Sequence, residues 1–259
     1  MERKITLCVA AHKNYRMPTD NMYLPIQVGA EGKDDIGYTR DNSGENISSL
    51  NDRFCELTGL YWMWKNYESD YYGLVHYRRY FSKSKKGNDP FENILTREEL
   101  EKMLDKVDMV LPKKREYFIE TLYSHYAHTF HAEHMDVTRE ILEEMYPDYV
   151  PAFDMVMKRT HAHIFNMFVM KKELFYSYCE WMYPILFELD NRIDSSEYDA
   201  FHKRYLGRVS ERLLDVWVET NNLQYIETPV IAMEKIDWGR KITSFLKAKF
   251  LKKKYDRSF

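Results

Sequence analysis

Three cysteines in 259 residues, Cys8, Cys55 and Cys179, are odd in number and far apart. They supply neither a metal-ligand spacing nor a disulfide framework, which points to a reducing cytosol. No apolar run is long enough to span a bilayer, and the first one, Ile5–Ala11, is far too short. The start Glu2-Arg3-Lys4 is charged like a signal n-region, but no long apolar core or small-residue cleavage site follows it. The chain is therefore expected to be soluble and cytoplasmic. There is no P-loop, GxGxxG, HExxH or GxSxG, no internal repeat, and no Asp-x-Asp anywhere. Those absences remove the common phosphate-loop, dinucleotide, zinc-protease and serine-hydrolase readings.

What is present is ordinary for a globular protein. With 44% hydrophobic and 31% charged residues, wholesale disorder is excluded. The length suits one large α/β domain or two small ones. Aromatics are in excess, with 21 Tyr in a 15% aromatic total; their faces stack on sugars and bases but also make good core. The net charge of −3 is unevenly spread. Residues 240–259 hold eight Lys or Arg against one acid, a charge of +7 that leaves −10 on the other 239 residues. An acidic body argues against a general nucleic-acid binder. In the tail, Trp238, Ile242, Phe245, Leu246 and Phe250 share one helical face while lysines cover the other. That is the composition of an interfacial helix drawn to an anionic membrane surface over residues 238–257. A tail docked on its own domain or on a partner is the alternative.

Periodicity predicts alternating strands and helices. Ile5–Ala11 reads as a buried strand, residues 24–30 as a second extended piece, and residues 31–49 as a long polar loop suited to covering a substrate. A helix is predicted over 51–66, with Phe54, Leu57, Thr58, Tyr61 and Trp64 on its apolar stripe. A strand follows over 71–81, then a helix from the Thr96 cap to about Asp105 and a strand closed by Pro112. Further helices are predicted over 136–145, 148–158, 171–189 (interrupted or kinked at Pro184) and 208–221, with strands over 164–170 and 225–233. This β-α-β alternation predicts one mostly parallel sheet with right-handed crossovers. It makes a single α/β domain over residues 1–235, followed by the basic tail over 236–259.

Four places carry residues suited to chemistry. The run at 71–81 ends in His76-Tyr77-Arg78-Arg79, and arginine forks at a strand's carboxyl end match phosphate oxygens. An edge strand whose arginines pair with surface carboxylates is the alternative. His125, His128, His131 and His134 recur every third residue, which places neighbours on one side of a helix. Imidazole is a common metal ligand, but metal sites usually recruit ligands from separate elements together with a carboxylate or thiolate, so a polar acceptor-binding surface is preferred. Asn166 interrupts an apolar run just after His161 and His163, and a buried amide there requires backbone or ligand partners. Glu211 lies beside Leu214 and Val218 on a largely apolar helix face, where desolvation favours a general base. Pairing with Arg208 or Arg212 is the alternative.

Taken in chain order, Ala11-His12-Lys13, Asp41 with Asn46-Ile47-Ser48, residues 56–66, residues 73–81, residues 163–170 and residues 207–214 resemble a family of bacterial capsular and exopolysaccharide glycosyltransferases catalogued as a domain of unknown function. The resemblance extends to about Met233 and leaves out the tail. It implies a GT-A-like fold, a single nucleotide-binding sheet with acceptor elements at its carboxyl edge. It also implies transfer of a hexose from a nucleotide sugar, UDP-galactofuranose or UDP-galactose first, to a lipid-linked glycan at the inner face of the cell membrane. Most GT-A enzymes end the central strand in an Asp-x-Asp that holds a divalent cation on the donor diphosphate. Here His76, Arg78 and Arg79 take that place, and fixed cations can neutralise the leaving group, so no metal or other cofactor is expected. The resemblance further implies that Ala11, His12, Lys13 and Asp41 hold uridine and ribose. Asn166 and His163 would face the sugar or acceptor, and His125, His128, His131 and His134 the acceptor side. Glu211 is the expected base, with Asp136 in reserve. Two other classes fit the same residues: a sugar-nucleotide hydrolase or nucleotidyltransferase on this fold, and a non-catalytic carbohydrate-binding module.

Overall fold

The computed structural model describes residues 3–83 and 87–234, and the basic helix expected over 236–259 lies outside them. The described strands are β1 (Ile5–Ala11), β2 (Tyr23–Gln27), β3 (Thr39–Arg40), β4 (Tyr71–His76), β5 (Arg79–Phe81), β6 (Met109–Pro112), β7 (Arg115–Glu116), β8 (His161–Ala162), β9 (Phe168–Lys171), β10 (Ile226–Thr228) and β11 (Val230–Ala232). The helices are α1 (Asn51–Phe54), α2 (Leu57–Asn66), α3 (Arg97–Leu104), α4 (Leu122–Thr129), α5 (Glu133–Met145), α6 (Val150–Lys158), α7 (Lys172–Arg192) and α8 (Tyr205–Thr220).

Seven strands form the body of one sheet in the order β10-β6-β9-β4-β1-β2-β3. β1 runs parallel to β2 and β4, β2 to β3, and β6 to β10. Of these seven, β9 runs the other way, antiparallel to both β4 and β6. The predicted mostly parallel α/β sheet flanked by helices is what the structure contains.

Both faces of this sheet are buried, which is why its strands are apolar runs rather than alternating ones. Every residue of β1 is buried. Cys8 and Ala10 enter one core with α2, α5, α6, α7 and α8, whereas Leu7, Val9 and Ala11 enter a second core that includes Leu100 and Leu104 of α3. This two-residue alternation is the pleat itself. α3 starts with the capping box formed by Thr96 and Glu99.

Several boundaries differ from the sequence expectation, each for a local reason. The helix expected over 51–66 breaks at Cys55, whose φ is 53°, and Asn51 braces the break by donating to the Cys55 carbonyl at 2.7 Å and to Thr58 Oγ1 at 3.1 Å. The strand expected over 71–81 folds back on itself, because His76 of β4 pairs with Arg79 of β5 across a turn at Tyr77-Arg78. The strand expected over 164–170 begins only at Phe168, since Phe165 (φ 75°) and Asn166 (φ 53°) occupy the left-handed region. α7 continues unbroken through Pro184, and α8 begins at Tyr205 rather than Arg208.

The chain leaves β1 toward β2 on one side, while β4 lies on the other, with Ala10 opposite His76. A crevice at such a switch in strand order is where open α/β sheets bind ligands. Gly73 keeps the neighbouring strands close. A Cβ there would lie 2.7 Å from Leu7 Cγ and 2.9 Å from the Phe168 carbonyl oxygen. Gly73→Ala is expected to lower stability by about 1–3 kcal/mol, the usual cost of overpacking, measured by urea unfolding.

Candidate functional site

A cavity of about 690 Å³ opens at the carboxyl ends of β1 and β4. Ala10 and His12 reach it from β1, and His76, Tyr77, Arg78 and Arg79 from the β4–β5 turn. Lys33 comes from the long polar loop, Glu56 from the break between α1 and α2, and Lys203, Arg204, Arg208 and Glu211 from α8 and the segment before it. Strict alternation along a strand would have aimed Arg78 and Arg79 to opposite sides. The turn removes that conflict, and both arginines line the cavity with His76.

The site is rich in cations. Lys33, Arg78, Arg79, Lys203, Arg204 and Arg208 face it against three carboxylates, Asp52, Glu56 and Glu211. Some of that charge is already engaged: Arg78 pairs with Glu234 at 3.2 Å, and Arg204 Nε donates to Cys55 Sγ at 3.2 Å. Arg208 is different. Its guanidinium lies 4.1 Å from the Phe130 ring and 4.0 Å from the Phe201 ring, and neither buried terminal nitrogen has a hydrogen-bond partner among the described residues. Burial pulls this guanidinium down to about 10. A charge shut from water without a counter-ion is costly, and the cavity that Arg208 lines is where an anion can supply one. His12 is held below its ordinary value by burial and then by Arg78, Lys13, Arg204 and Lys33, so its imidazole is neutral at pH 7.

Glu211 combines both readings of the sequence. It lines the cavity, and its Oε2 accepts from Arg212 Nη1 at 2.7 Å. Oε1 has no hydrogen-bond partner among the described residues. Glu56, which the sequence left without a role, also lines the cavity and accepts from Asn166 Nδ2 at 2.7 Å. Lys33, Lys203 and Arg204 were likewise without assignment, and Arg208 figured only as an alternative ion-pair partner of Glu211. The legible signal was the i, i+4 spacing of Arg204 and Arg208 leading into a helix.

Other expected site residues serve the fold instead. Asp41 is fully buried, accepting from the Gly29 and Ala30 amides at 2.8 and 2.9 Å and from Ser48 Oγ at 2.5 Å. These bonds tie down the long loop, which in turn delivers Lys33 to the cavity. Ala11 is buried, its carbonyl accepting from Val28 at 2.9 Å, and Lys13 lies near the Tyr15 and Tyr77 rings outside the cavity lining. The histidine ladder does not form one surface, because α4 ends at Thr129. His125 and His128 both bond Glu120, at 3.0 and 2.9 Å, and burial lowers His125 to about 4. His131 stacks on Tyr198, and His134 is buried between the hydroxyls of Tyr126 (2.9 Å) and Tyr198 (3.2 Å). None of the four lines the cavity. His163 is buried between Asp215 and Glu227. Asn166 is a buried brace, and Asp136 sits on the outer side of α5, accepting from Tyr123 at 2.8 Å. Asp136 is therefore not placed to serve as a reserve base. Among the described residues no three His, Cys, Asp or Glu side chains converge as metal ligands, and no helix is long and apolar enough to cross a membrane.

The mostly parallel sheet, with β9 reversed between β4 and β6, and the flanking helices match a glycosyltransferase fold. The chain belongs to the family described as a domain of unknown function, DUF4422, which matches residues 6–222. It is similar to a solved structure described as the WbbM bifunctional glycosyltransferase in its apo form, with a TM-score of 0.82 and 28% identity. That match covers 90% of this chain and 46% of the other, so the chain spans about half the length of that protein. No curated protein matches the chain.

If Arg208 awaits an anion, removing its charge should separate stability from binding. Arg208→Met is expected to unfold at a urea concentration no lower than wild type, because the desolvated charge is gone. The same variant should bind UDP at least about tenfold more weakly, the worth of one charge-assisted contact, as read by calorimetry.

Proposed function

We propose that the chain is a nucleotide-sugar-dependent hexosyltransferase. In this reading it transfers galactofuranose or galactose from a UDP-sugar to a lipid-linked glycan at the inner face of the cell membrane, in capsular or exopolysaccharide biosynthesis. The observation that carries the reading is the cationic cavity at the switch in strand order, with Arg208 in its wall and no hydrogen-bond partner for its terminal nitrogens among the described residues. The similarity to a bifunctional glycosyltransferase supports the reaction class. The donor sugar and the glycan acceptor rest on the sequence resemblance alone.

Transfer of a glycosyl group needs two kinds of help. The departing nucleoside diphosphate develops negative charge that must be neutralised. Arg79 and Arg78 at the β4–β5 turn, with Arg204 and Arg208 across the cavity, are suited to that. Burial and the neighbouring Arg78 lower the Arg79 pKa, so a bound diphosphate would relieve rather than create electrostatic strain there. The acceptor hydroxyl must also lose a proton. Glu211 is the proposed base: it lines the cavity, Arg212 orients one of its oxygens, and its other oxygen is left for the hydroxyl. Glu56 is the new reserve, held by Asn166 on the same cavity wall.

Glu211→Gln is expected to lose about 10²–10⁴-fold in turnover, the usual contribution of a general base, while UDP affinity stays at the wild-type value. Equal turnover in the variant removes Glu211 from the mechanism. The reading also includes metal independence, with Arg78, Arg79, Arg204 and Arg208 supplying the positive charge that a diphosphate-bound ion would otherwise supply. Purified enzyme treated with EDTA should then keep its activity. Activity that vanishes and returns with Mn²⁺ would overturn that part.

A further inference from the structure

A second surface of the molecule has no part in the cavity. After β7 the chain turns sharply at Phe118, whose φ is 47°, with the Ile119 amide donating to the Tyr117 carbonyl at 2.5 Å. A bulky residue in the left-handed region is an outlier that persists only where its surroundings enforce it. The turn leaves Phe118 86% and Ile119 62% exposed, more than any other large hydrophobic residue among those described. Its base is fixed. The Tyr117 amide donates to the Thr160 carbonyl at 2.7 Å and the Leu122 amide to the Arg159 carbonyl at 2.8 Å. Between them Glu120 is buried and gripped by His125 and His128. The histidine ladder therefore anchors a projecting apolar tip.

We propose that residues 113–119 dock the protein onto a phospholipid bilayer, with Phe118 and Ile119 entering the boundary between headgroups and acyl chains. The chemistry around the tip selects lipid over a protein groove. Lys113, Lys114 and Arg115 directly precede it, against the single acid Glu116, and Lys113 is exposed. Arg115 lies 5.2 Å from the Tyr117 ring, and Tyr123 is partly exposed beside them. Apolar tips flanked by tyrosines and basic residues match an interface whose surface is phosphate and whose interior is hydrocarbon. Tyr117 packs on His125 with ring centroids 4.5 Å apart and lies within the field of Arg212, the partner of Glu211. The docked face therefore adjoins the Glu211 side of the cavity. The proposal stands on residues other than those of the tail and does not rest on the donor reading.

The test uses the full chain, tail included, in co-sedimentation with vesicles of phosphatidylcholine and phosphatidylglycerol. The double variant F118S/I119S is expected to partition at least about tenfold more weakly, with its thermal midpoint and UDP affinity unchanged. In parallel, F118W in a W238F background should show blue-shifted emission quenched by brominated acyl chains beyond that of W238F alone, a difference signal that comes from this turn and not from the tail. Wild-type partitioning by F118S/I119S, or quenching of W238F/F118W by brominated lipid no greater than that of W238F, overturns the proposal. A wild-type self-association in sedimentation velocity that F118S/I119S abolishes also overturns it, by making the tip a contact between copies of this chain.

Discussion

Asn166 is the point on which the site depends. Its side-chain amide donates to Glu56 at 2.7 Å and to the Gly207 carbonyl at 2.8 Å, and its oxygen accepts from Ser210 Oγ at 2.8 Å. One buried residue thus ties the start of α2, the first turns of α8 and the approach to β9. To reach this position Phe165 and Asn166 both adopt left-handed backbone, which costs of order 1–3 kcal/mol each. Three buried hydrogen bonds, one of them to a carboxylate, are worth about 0.5–3 kcal/mol apiece and offset that strain. The neighbouring Phe165 carbonyl bonds His76 Nε2 at 2.5 Å, which extends the brace to the end of β4. Cavity walls from three separate elements are held by one amide and the residue before it.

The polar residues near the site divide into two groups. Carboxylates are largely committed to architecture: Asp41 to backbone amides of its loop, Glu56 to Asn166, Glu211 to Arg212. The cations are less completely matched, and the terminal nitrogens of Arg208 have no hydrogen-bond partner among the described residues. In a partly enclosed space, where charge is screened less than at a surface, that imbalance gives the cavity a preference for anions. The fold accepts a destabilising charge in exchange for a preorganised site.

The sheet was legible because strands buried on both faces must be short apolar runs, and the chain has them at the right places. The end of β4 was legible for the same reason, since an apolar run that stops at His76 marks a strand's end. What followed was not. Tyr77 and Arg78 carry none of the glycine, asparagine or proline that announces a turn, so the fold-back that brings Arg78 and Arg79 together had no local signal. The histidine ladder misled because a spacing of three implies a shared face only while one helix lasts, and α4 stops at Thr129. Asp41 entered the expected site through the resemblance, and Asn166 was open to backbone or ligand partners; the partners seen are the protein's own backbone and side chains. Arg208 was hidden by its neighbour, since an arginine three residues before Glu211 on a helix reads as half of an ion pair.

The reversed strand β9 has a kinetic meaning. It fills the gap between β4 and β6, with Tyr72 opposite Met170 and Met109 opposite Met170 on the other side. The two strands it joins are both made long before it, and the whole helical excursion through α4, α5 and α6 intervenes. Pairings so distant in sequence are slow to form, because the loop must close before any contact rewards it. The middle of the sheet is therefore completed late, by residues that immediately follow the Asn166 brace. An amino-terminal fragment that stops short of β9 leaves β6 unjoined to the β4-β1-β2-β3 half of the sheet, and it lacks α8 with Arg208 and Glu211. The α8 wall of the cavity, with Arg208 and Glu211, therefore joins the residues of β1, the β4–β5 turn and the long loop only after this late closure.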